Sequence, residues 1–435
     1  MKTVRMLCIM VGSVLAAFLV PLAARAWLAS PRPVEAPVMA AAWGPEATQI
    51  SQNVYIDSMH PYPALAVRSP TVCAVWSRQV GEGDEDYDPH YRRSDGNGDL
   101  GTWGGQFNIH STSPITTETT RVDVAIDSDH KLHFVWSEYT RTPYSYTLYY
   151  SYINGSGTQT ITQSYDELAT PAIAVSDDNK VHVVWSQGTN SIKYAWKPIG
   201  NGAWTSTALA SAPMAIQPDI EVGDDGTAHV VWSQGDIDAD IFYKNSSDSF
   251  TTRFKVSKGL SYDGRKPAIA VRGNNVYVAW CEFENLSNQW VYFRQATKEG
   301  TSYNWSSYDP ISGDALGAYA DVSTYLCPAV TVDISGTIHV AFNGREGGHP
   351  EDIYYTFKTQ DGSWQPRVNV TNSTDENDTT PDIATGGEYV HLIWAGPPPP
   401  PPFDPEGNDY EVWYKRTVMM EESGIYLPVI MKSAS

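Results

Sequence analysis

The sequence predicts an all-β fold: a seven-bladed β-propeller of four-stranded antiparallel blades, its ring closed by an N-terminal outer strand. Three observations carry this reading. A strand motif recurs seven times, a common four-strand grammar surrounds it, and the two chain ends complete one another.

The motif is clearest in Val181-His182-Val183-Val184-Trp185, in Ala228-His229-Val230-Val231-Trp232 and at 131–136. It returns more loosely at 72–76, 276–280, 338–342 and 390–394. The closing aromatics run from Trp76 to Trp394, six intervals over 318 residues, a mean period of 53. Short strands at that period mean a propeller or solenoid array. Function must then sit in what differs between repeats.

Around the motif the grammar is constant. A short strand opens after proline, as at Pro171, Pro218, Pro267 and Pro328. Proline is tolerated there because a first strand residue need not donate to the ladder. A polar hairpin follows, such as Ser176-Asp177-Asp178-Asn179, whose residues suit tight turns. After the motif strand comes a third strand with an aromatic pair: Tyr149-Tyr150, Phe242-Tyr243, Tyr292-Phe293, Tyr354-Tyr355, Trp413-Tyr414. The fourth opens with Trp103, Trp204, Trp305 or Trp364. Four antiparallel strands per unit make a propeller blade.

The last repeat stops after its third strand, whereas Trp43 to Ser51 reads as an unpaired fourth strand. The N-terminal segment is therefore expected to complete blade 7, leaving no open blade in the ring.

The organisation follows: a signal peptide over 1–26, a proline-bearing linker over 27–42, the propeller over 43–416 and a tail over 417–435. Lys2 and Arg5 precede an apolar stretch over 6–20, and Ala24-Arg25-Ala26 fits cleavage. A spanning helix needs roughly 20 apolar residues. A secreted or cell-surface protein is expected, with no membrane insertion after cleavage; an uncleaved anchor is the alternative. The tail is a sorting or docking tag, or an extra strand.

The net charge is −21, and −24 once Lys2, Arg5 and Arg25 are removed. That excludes nucleic acid and anionic membranes as partners, which require basic patches. Export permits disulfides. Cys73 replaces the repeat histidine and reads as a buried thiol. Cys281 and Cys327 fall on one face in neighbouring blades, where a disulfide and two separate thiols are both open.

His133, His182, His229, His339 and His391 share one repeat position, which spreads them over five blades. They read as packed, singly hydrogen-bonded side chains rather than a metal site. Acidic runs at 84–88, at Asp95, Asn97 and Asp99, and at Asp236, Asp238 and Asp240 alternate oxygen ligands as calcium loops do. None completes an EF-hand, so calcium is a possible cofactor and no other is expected.

The loops after the motif strands and before the first strands open on one face. It carries Arg78, Glu138, Gln187, Gln234, Glu282 and Arg345, with Asp166, Asp263, Arg265 and Asp321. Glu138 and Glu282 are the candidate acid/base pair of a glycosidase. Arg78, Arg265 and Arg345 are candidate grips for an anionic sugar, and Asp263 joins them as a ligand-binding candidate. The bland reading is a polar rim.

The run Ser94-Asp95-Gly96-Asn97-Gly98-Asp99-Leu100-Gly101-Thr102-Trp103 resembles the Asp-box of sialidase-like, BNR-repeat propellers. Asp361-Gly362-Ser363-Trp364 and Gly200-Asn201-Gly202-Ala203-Trp204 look like decayed copies. The resemblance covers about 43–416 at the level of blade pattern. It implies the propeller fold, but the Asp-box is not catalytic. The family's early Arg-Ile-Pro is absent; Tyr62-Pro63-Ala64-Leu65 stands there, and no catalytic residue carries over. The expectation is a monomer that binds a glycan or surface protein without catalysis. A glycoside hydrolase or polysaccharide lyase is the alternative.

Overall fold

The computed structural model describes residues 43, 47–51, 62–79, 87–110, 117–153, 157–200, 202–236, 238–258, 263–285, 288–312, 328–345, 350–360, 362–373, 377–397 and 410–419. The signal peptide, the linker, the tail beyond 419 and Cys327 lie outside them.

Seven antiparallel blades form an all-β ring. Blade 1 runs Ala64–Arg68, Thr71–Gln79, Tyr87–Ser94, Phe107–Asn108; blade 2 runs Thr117–Ile126, Leu132–Arg141, Tyr144–Tyr152, Gln159–Ser164. Blade 3 comprises Leu168–Ser176, Lys180–Gln187, Ser191–Pro198, Thr205–Ser211; blade 4 comprises Ala215–Val222, Ala228–Gln234, Asp240–Asn245, Phe254–Lys255. Blade 5 comprises Asp263–Arg272, Asn275–Asn285, Asn288–Glu299, then Ser302–Trp305 and Asp309–Pro310. Blade 6 has Ala329–Val332, Ile338–Arg345, Glu351–Lys358, Val368–Asn369, and blade 7 has Thr379–Gly386, Tyr389–Gly396, Glu411–Val418. The first strands face the axis, each beside the next.

The fourth strand of blade 7 is the N-terminal Thr48–Gln49, paired with Tyr414 and Trp413. Ring closure is therefore as the sequence implied. Ile50 is fully buried beside it, and Arg92 of blade 1 donates to the Ile50 carbonyl at 2.9 Å. The same strut recurs around the ring. Lys244 reaches Leu209 O at 2.8 Å, Arg294 reaches Val256 O at 2.9 Å and Lys415 reaches Val370 O at 2.9 Å, each from a third strand to the preceding blade.

The repeat histidines pack within their blades, but two exceed the single hydrogen bond expected: His133 Nε2 also lies 3.0 Å from Asp127 Oδ2 and His339 Nε2 3.3 Å from Asp333 Oδ2. Nδ1 of His133, His182, His229, His339 and His391 lies 2.7–2.8 Å from the hydroxyl of Tyr150, Tyr194, Tyr243, Tyr355 and Tyr414, each within its own blade. Four of those tyrosines carry a tryptophan of the next blade edge-on: Trp204 on Tyr150, Trp305 on Tyr243, Trp43 on Tyr355 and Trp103 on Tyr414, at 5.0–5.4 Å. T-shaped aromatic pairs add to area burial. One correction follows. The tryptophans were expected to open the fourth strands, but in blades 1, 6 and 7 the ladder begins four or more residues later, and in blade 5 Trp305 ends the Ser302–Trp305 strand. In blades 1, 6 and 7 the indole wedges between blades ahead of the ladder, Trp103 keeping an isolated bridge to Ser94.

Candidate functional site on the loop-rich face

Register shows which loops share a face. Leu168 lies opposite Gln187, Ala215 opposite Gln234 and Gly264 opposite Glu282. First strands thus begin where second strands end. At that point the register shifts in blades 2, 3, 4, 5 and 7. Such bulges re-aim side chains at barrel rims and active sites.

The residue before each opening proline takes up the bend. Tyr62, Thr170, Gln217, Lys266 and Thr380 have φ between 39° and 54°. A left-handed backbone is unfavourable for these types, most of all for β-branched threonine. Together with Arg121 of blade 2 they line the mouth of the axial channel, a cavity of about 210 Å³. The Arg121 guanidinium stacks 4.1 Å over the Tyr62 ring, and Gln217 Oε1 accepts from Lys266 N at 3.1 Å. Six side chains of five kinds therefore occupy equivalent places around one opening.

Below the mouth, Asp123, Asp219 and Asp382 each tie a blade to its neighbour. Their carboxylates accept from Ile173 N, Ile269 N and Leu65 N at 2.7–2.8 Å. Burial pushes Asp123 up to about 6 and Asp219 and Asp382 up to about 7; like charge across the channel adds to the two latter shifts. A second chamber of about 470 Å³ continues beneath and includes Glu221, also raised to about 7 by burial. At its far end Arg68 of blade 1 pairs with Asp177 of blade 3 at 3.1 Å.

Of the residues anticipated from sequence, Arg78, Glu138, Glu282 and Arg345 lie one strand further out, whereas Asp263 and Arg265 open the first strand of blade 5. Among the described residues lining the mouth, none is Arg78, Glu138, Glu282 or Arg345. Glu138 is 2% exposed and accepts the Trp136 indole N–H at 2.7 Å. Glu282, 1% exposed, follows Trp280 at the same spacing, but neither its carboxylate oxygens nor the Trp280 indole N–H finds a hydrogen-bond partner among the described residues, and burial raises it to about 7 against the pull of Trp280 and Lys258. The two glutamates belong to blades 2 and 5. Arg78 sits opposite Asp88. Arg345 sits opposite Glu351 and donates to Asn377 Oδ1 at 3.4 Å. Arg265 is buried; it pairs with Asp263 at 2.9 Å and donates to Asp236 O at 2.9 Å, holding blade 5 to the loop of blade 4.

His110 was missed, and a repeat inside the fourth strands explains its place. Ser51, Ser257, Ser312 and Thr371 each follow a buried Ile or Val. Their hydroxyls accept the backbone N–H of Val412, Ile241, Val291 and Ile353 at 2.9–3.3 Å. In blade 1 the corresponding pair is Ile109-His110, and Ile109 N bonds Pro89 O at 2.8 Å. Proline has no N–H to satisfy, so no hydroxyl is needed. His110 instead crosses to Glu138 of blade 2 at 2.8 Å, its ring against Trp136 and Tyr149.

The calcium candidates bond within the protein. Asp95 Oδ1 accepts from Thr71 and from Arg93 at 2.8 Å. Asn97 Oδ1 accepts from Ser69 at 2.8 Å, and Asp99 pairs with Arg416. Asp240 binds Lys255 at 2.7 Å. Among the described residues no three His, Cys, Asp or Glu side chains group as metal ligands. Residues 84–86 and Asp321 lie outside the described residues. Cys73 is buried, and Cys281 Sγ donates to Arg265 O at 3.2 Å.

Ring, closure and mouth together define a seven-bladed β-propeller with a polar opening on its axis. No family model matches the chain, and no curated protein matches its sequence. Solved structures match the fold. The phage phi92 endosialidase gives a TM-score of 0.50 at 10% identity, covering 90% of this chain and 71% of its own. A Dyadobacter fermentans protein of unknown function gives 0.48 at 10% identity, covering 86% and 98%. A Trypanosoma rangeli sialidase in complex with sialic acid gives 0.42 at 10% identity, covering 87% and 58%. The fold is sialidase-like.

Proposed function

We propose that this protein binds a glycan, without catalysis, on the loop-rich face of its propeller after export to the cell surface or medium. The observation that carries the reading is the ring of unlike side chains at one repeated position around the axial mouth. Five of them are held in a costly left-handed backbone, the kind of strain that clusters at ligand clamps. Arg121 and Lys266 supply donors and positive charge, and Thr170, Gln217, Tyr62 and Thr380 supply neutral polar groups. A surface protein is the other partner of this class.

Glycoside hydrolysis needs two carboxyls about 5–9.5 Å apart across one bond. Glu138 and Glu282 stand in separate blades, and Glu138 is engaged with Trp136, which favours binding over cleavage. The catalytic alternative, a glycoside hydrolase or polysaccharide lyase, rests on the His110–Glu138 pair, an imidazole held by a carboxylate.

A glycan array and a hydrolase and lyase screen on the secreted form test the reading. Binding without turnover is expected, and Arg121→Glu with Lys266→Glu should lower affinity for ligands of the mouth. Turnover abolished by His110→Ala would replace the reading with the catalytic one.

A further inference from the structure

The second and third strands of blade 2 extend to a tight hairpin at Arg141–Tyr144. Along their face toward blade 3, Leu148 and Tyr150 belong to the core, and Tyr146 packs at its edge. The aromatic stripe does not stop there. Tyr139 lies opposite Tyr146, and Tyr144 follows on the same face. Their rings meet pairwise: Tyr139 and Tyr144 at 5.4 Å edge-on, Tyr139 and Tyr146 at 5.1 Å tilted, Tyr144 and Tyr146 at 5.8 Å edge-on. Tyr144 is 50% exposed and Tyr165 is 81% exposed.

Tyr165 lies in the chain one residue beyond Ser164, which pairs with Tyr146. Its loop is anchored at both ends. Ser164 Oγ accepts from Asp166 N at 2.9 Å, and Glu167 O accepts from Gly188 N at 2.7 Å. A large aromatic is thus presented to solvent on a pinned backbone, so little ordering entropy remains to be lost on binding.

We propose that Tyr139, Tyr144 and Tyr146, together with Tyr165 on the loop after the fourth strand, form a stacking platform for a neutral polysaccharide chain. Tyrosine offers a flat apolar face and a hydroxyl at low entropy cost, matching the apolar face and rim hydroxyls of a pyranose. Charge selects the ligand class. Asp166 and Glu167 follow Tyr165 and outnumber Arg141, which stands opposite Tyr144, within a chain of net charge −21, a balance that opposes polyanionic glycans and acidic peptides. Few large apolar side chains are exposed among the described residues, so a broad apolar protein interface is not presented. The inference rests on the glycan-binding reading and adds a second subsite, away from the axial mouth.

The test is affinity electrophoresis of the full chain through native gels containing xylan, a soluble mixed-linkage β-glucan or glucomannan, with alginate as the anionic comparison. The wild type is expected to be retarded by at least one neutral polymer and not by alginate. Tyr144→Ala with Tyr165→Ala should weaken binding about 10-fold, whereas Tyr144→Phe with Tyr165→Phe keeps most of it; both pairs are exposed, and circular dichroism checks the fold. Equal retardation of the alanine variant and wild type overturns the platform, as does retardation by alginate alone. Retardation lost only in Arg121→Glu with Lys266→Glu overturns the platform but leaves glycan binding at the mouth standing. No retardation in any gel also overturns it, and the glycan array then decides the broader reading separately.

Discussion

His110 Nδ1 lies 2.8 Å from Glu138 Oε1, across the gap between blades 1 and 2. The same carboxylate oxygen accepts the Trp136 indole N–H. One buried glutamate thus orients both a core tryptophan and a half-buried imidazole.

That contact predicts a pH dependence. The hydrogen bond to Glu138 raises the His110 pKa above its ordinary value against the opposing effect of burial; the charges of Glu138 and Asp88 add to the rise. Tyr149, raised chiefly by burial and further by the Glu138 charge, packs against the imidazole, and His90 of blade 1, near Arg78, is lowered chiefly by burial to about 4. A histidine whose folded pKa is raised contributes stability that is fully present below its unfolded value and is lost as pH rises through the folded value. His110→Ser installs the residue type of the other blades. The melting-temperature gap between wild type and this variant should be largest near pH 6 and shrink toward about pH 8. A constant gap would show that the pair contributes packing alone.

The axial carboxylates predict the opposite bookkeeping for an acid. Asp219 is raised to about 7, first by burial. The folded state therefore holds its proton more tightly than the unfolded chain, and stability falls as pH rises from about 4 to about 7. Asp219→Asn removes that titration. Its stability relative to wild type should climb across this range and level off above about pH 7. A difference independent of pH would mean the channel carboxylate is not shifted.

Closure has a truncation test. Deleting 27–52 removes the burial of Ile50, the Trp43–Tyr355 contact and the Arg92 strut. Full burial of Ile50 alone is worth about 1.5–3 kcal/mol. Thermal unfolding should shift strongly for that deletion and little for deletion of 27–40, which leaves those contacts intact. Equal melting temperatures would refute the closure as a source of stability.

The histidine–tyrosine pairs predict coupling. His391→Ala leaves the buried Tyr414 hydroxyl without its 2.7 Å partner, a cost of about 1–3 kcal/mol. In a double-mutant cycle with Tyr414→Phe the two losses should be less than additive. Gly98→Ala attacks the same tyrosine. At φ 71° its Cβ would run into the Tyr414 hydroxyl, so this substitution should destabilise markedly. Additive losses in the cycle would place the histidine's role outside the pair.

Much of the fold was legible because each blade repeats one local grammar. Valine, histidine and tryptophan alternate along the second strand with a period that faces residues toward alternate neighbours, and seven copies make the pattern unmistakable. The unpaired segment at Trp43 was readable for the same reason: the last repeat lacked its fourth strand. The hydroxyl position at Ser51, Ser257, Ser312 and Thr371 was written in the sequence too. It passed unnoticed because it is one small residue after one aliphatic residue, a signal too short to stand out without its backbone partner.

The sequence by itself determined the number of blades, the closure and the face on which loops gather. Those follow from periodicity and from hydrogen-bond pairing that strand edges must satisfy. Only the tertiary structure decided which side chains surround the axis. The register shifts carry Arg121, Thr170, Gln217, Lys266 and Thr380 to the mouth, where Tyr62 of blade 1 joins them, whereas Glu138 turns back onto Trp136 one strand further out and Glu282 is buried there. A bulge reverses side-chain direction by a single residue, and where it falls depends on contacts between strands 16 or more residues apart, as for Ala169 and Ser186. It likewise took the packed ring to bring His110 to Glu138, since a residue freed from a structural duty by Pro89 shows its partner only when two blades meet.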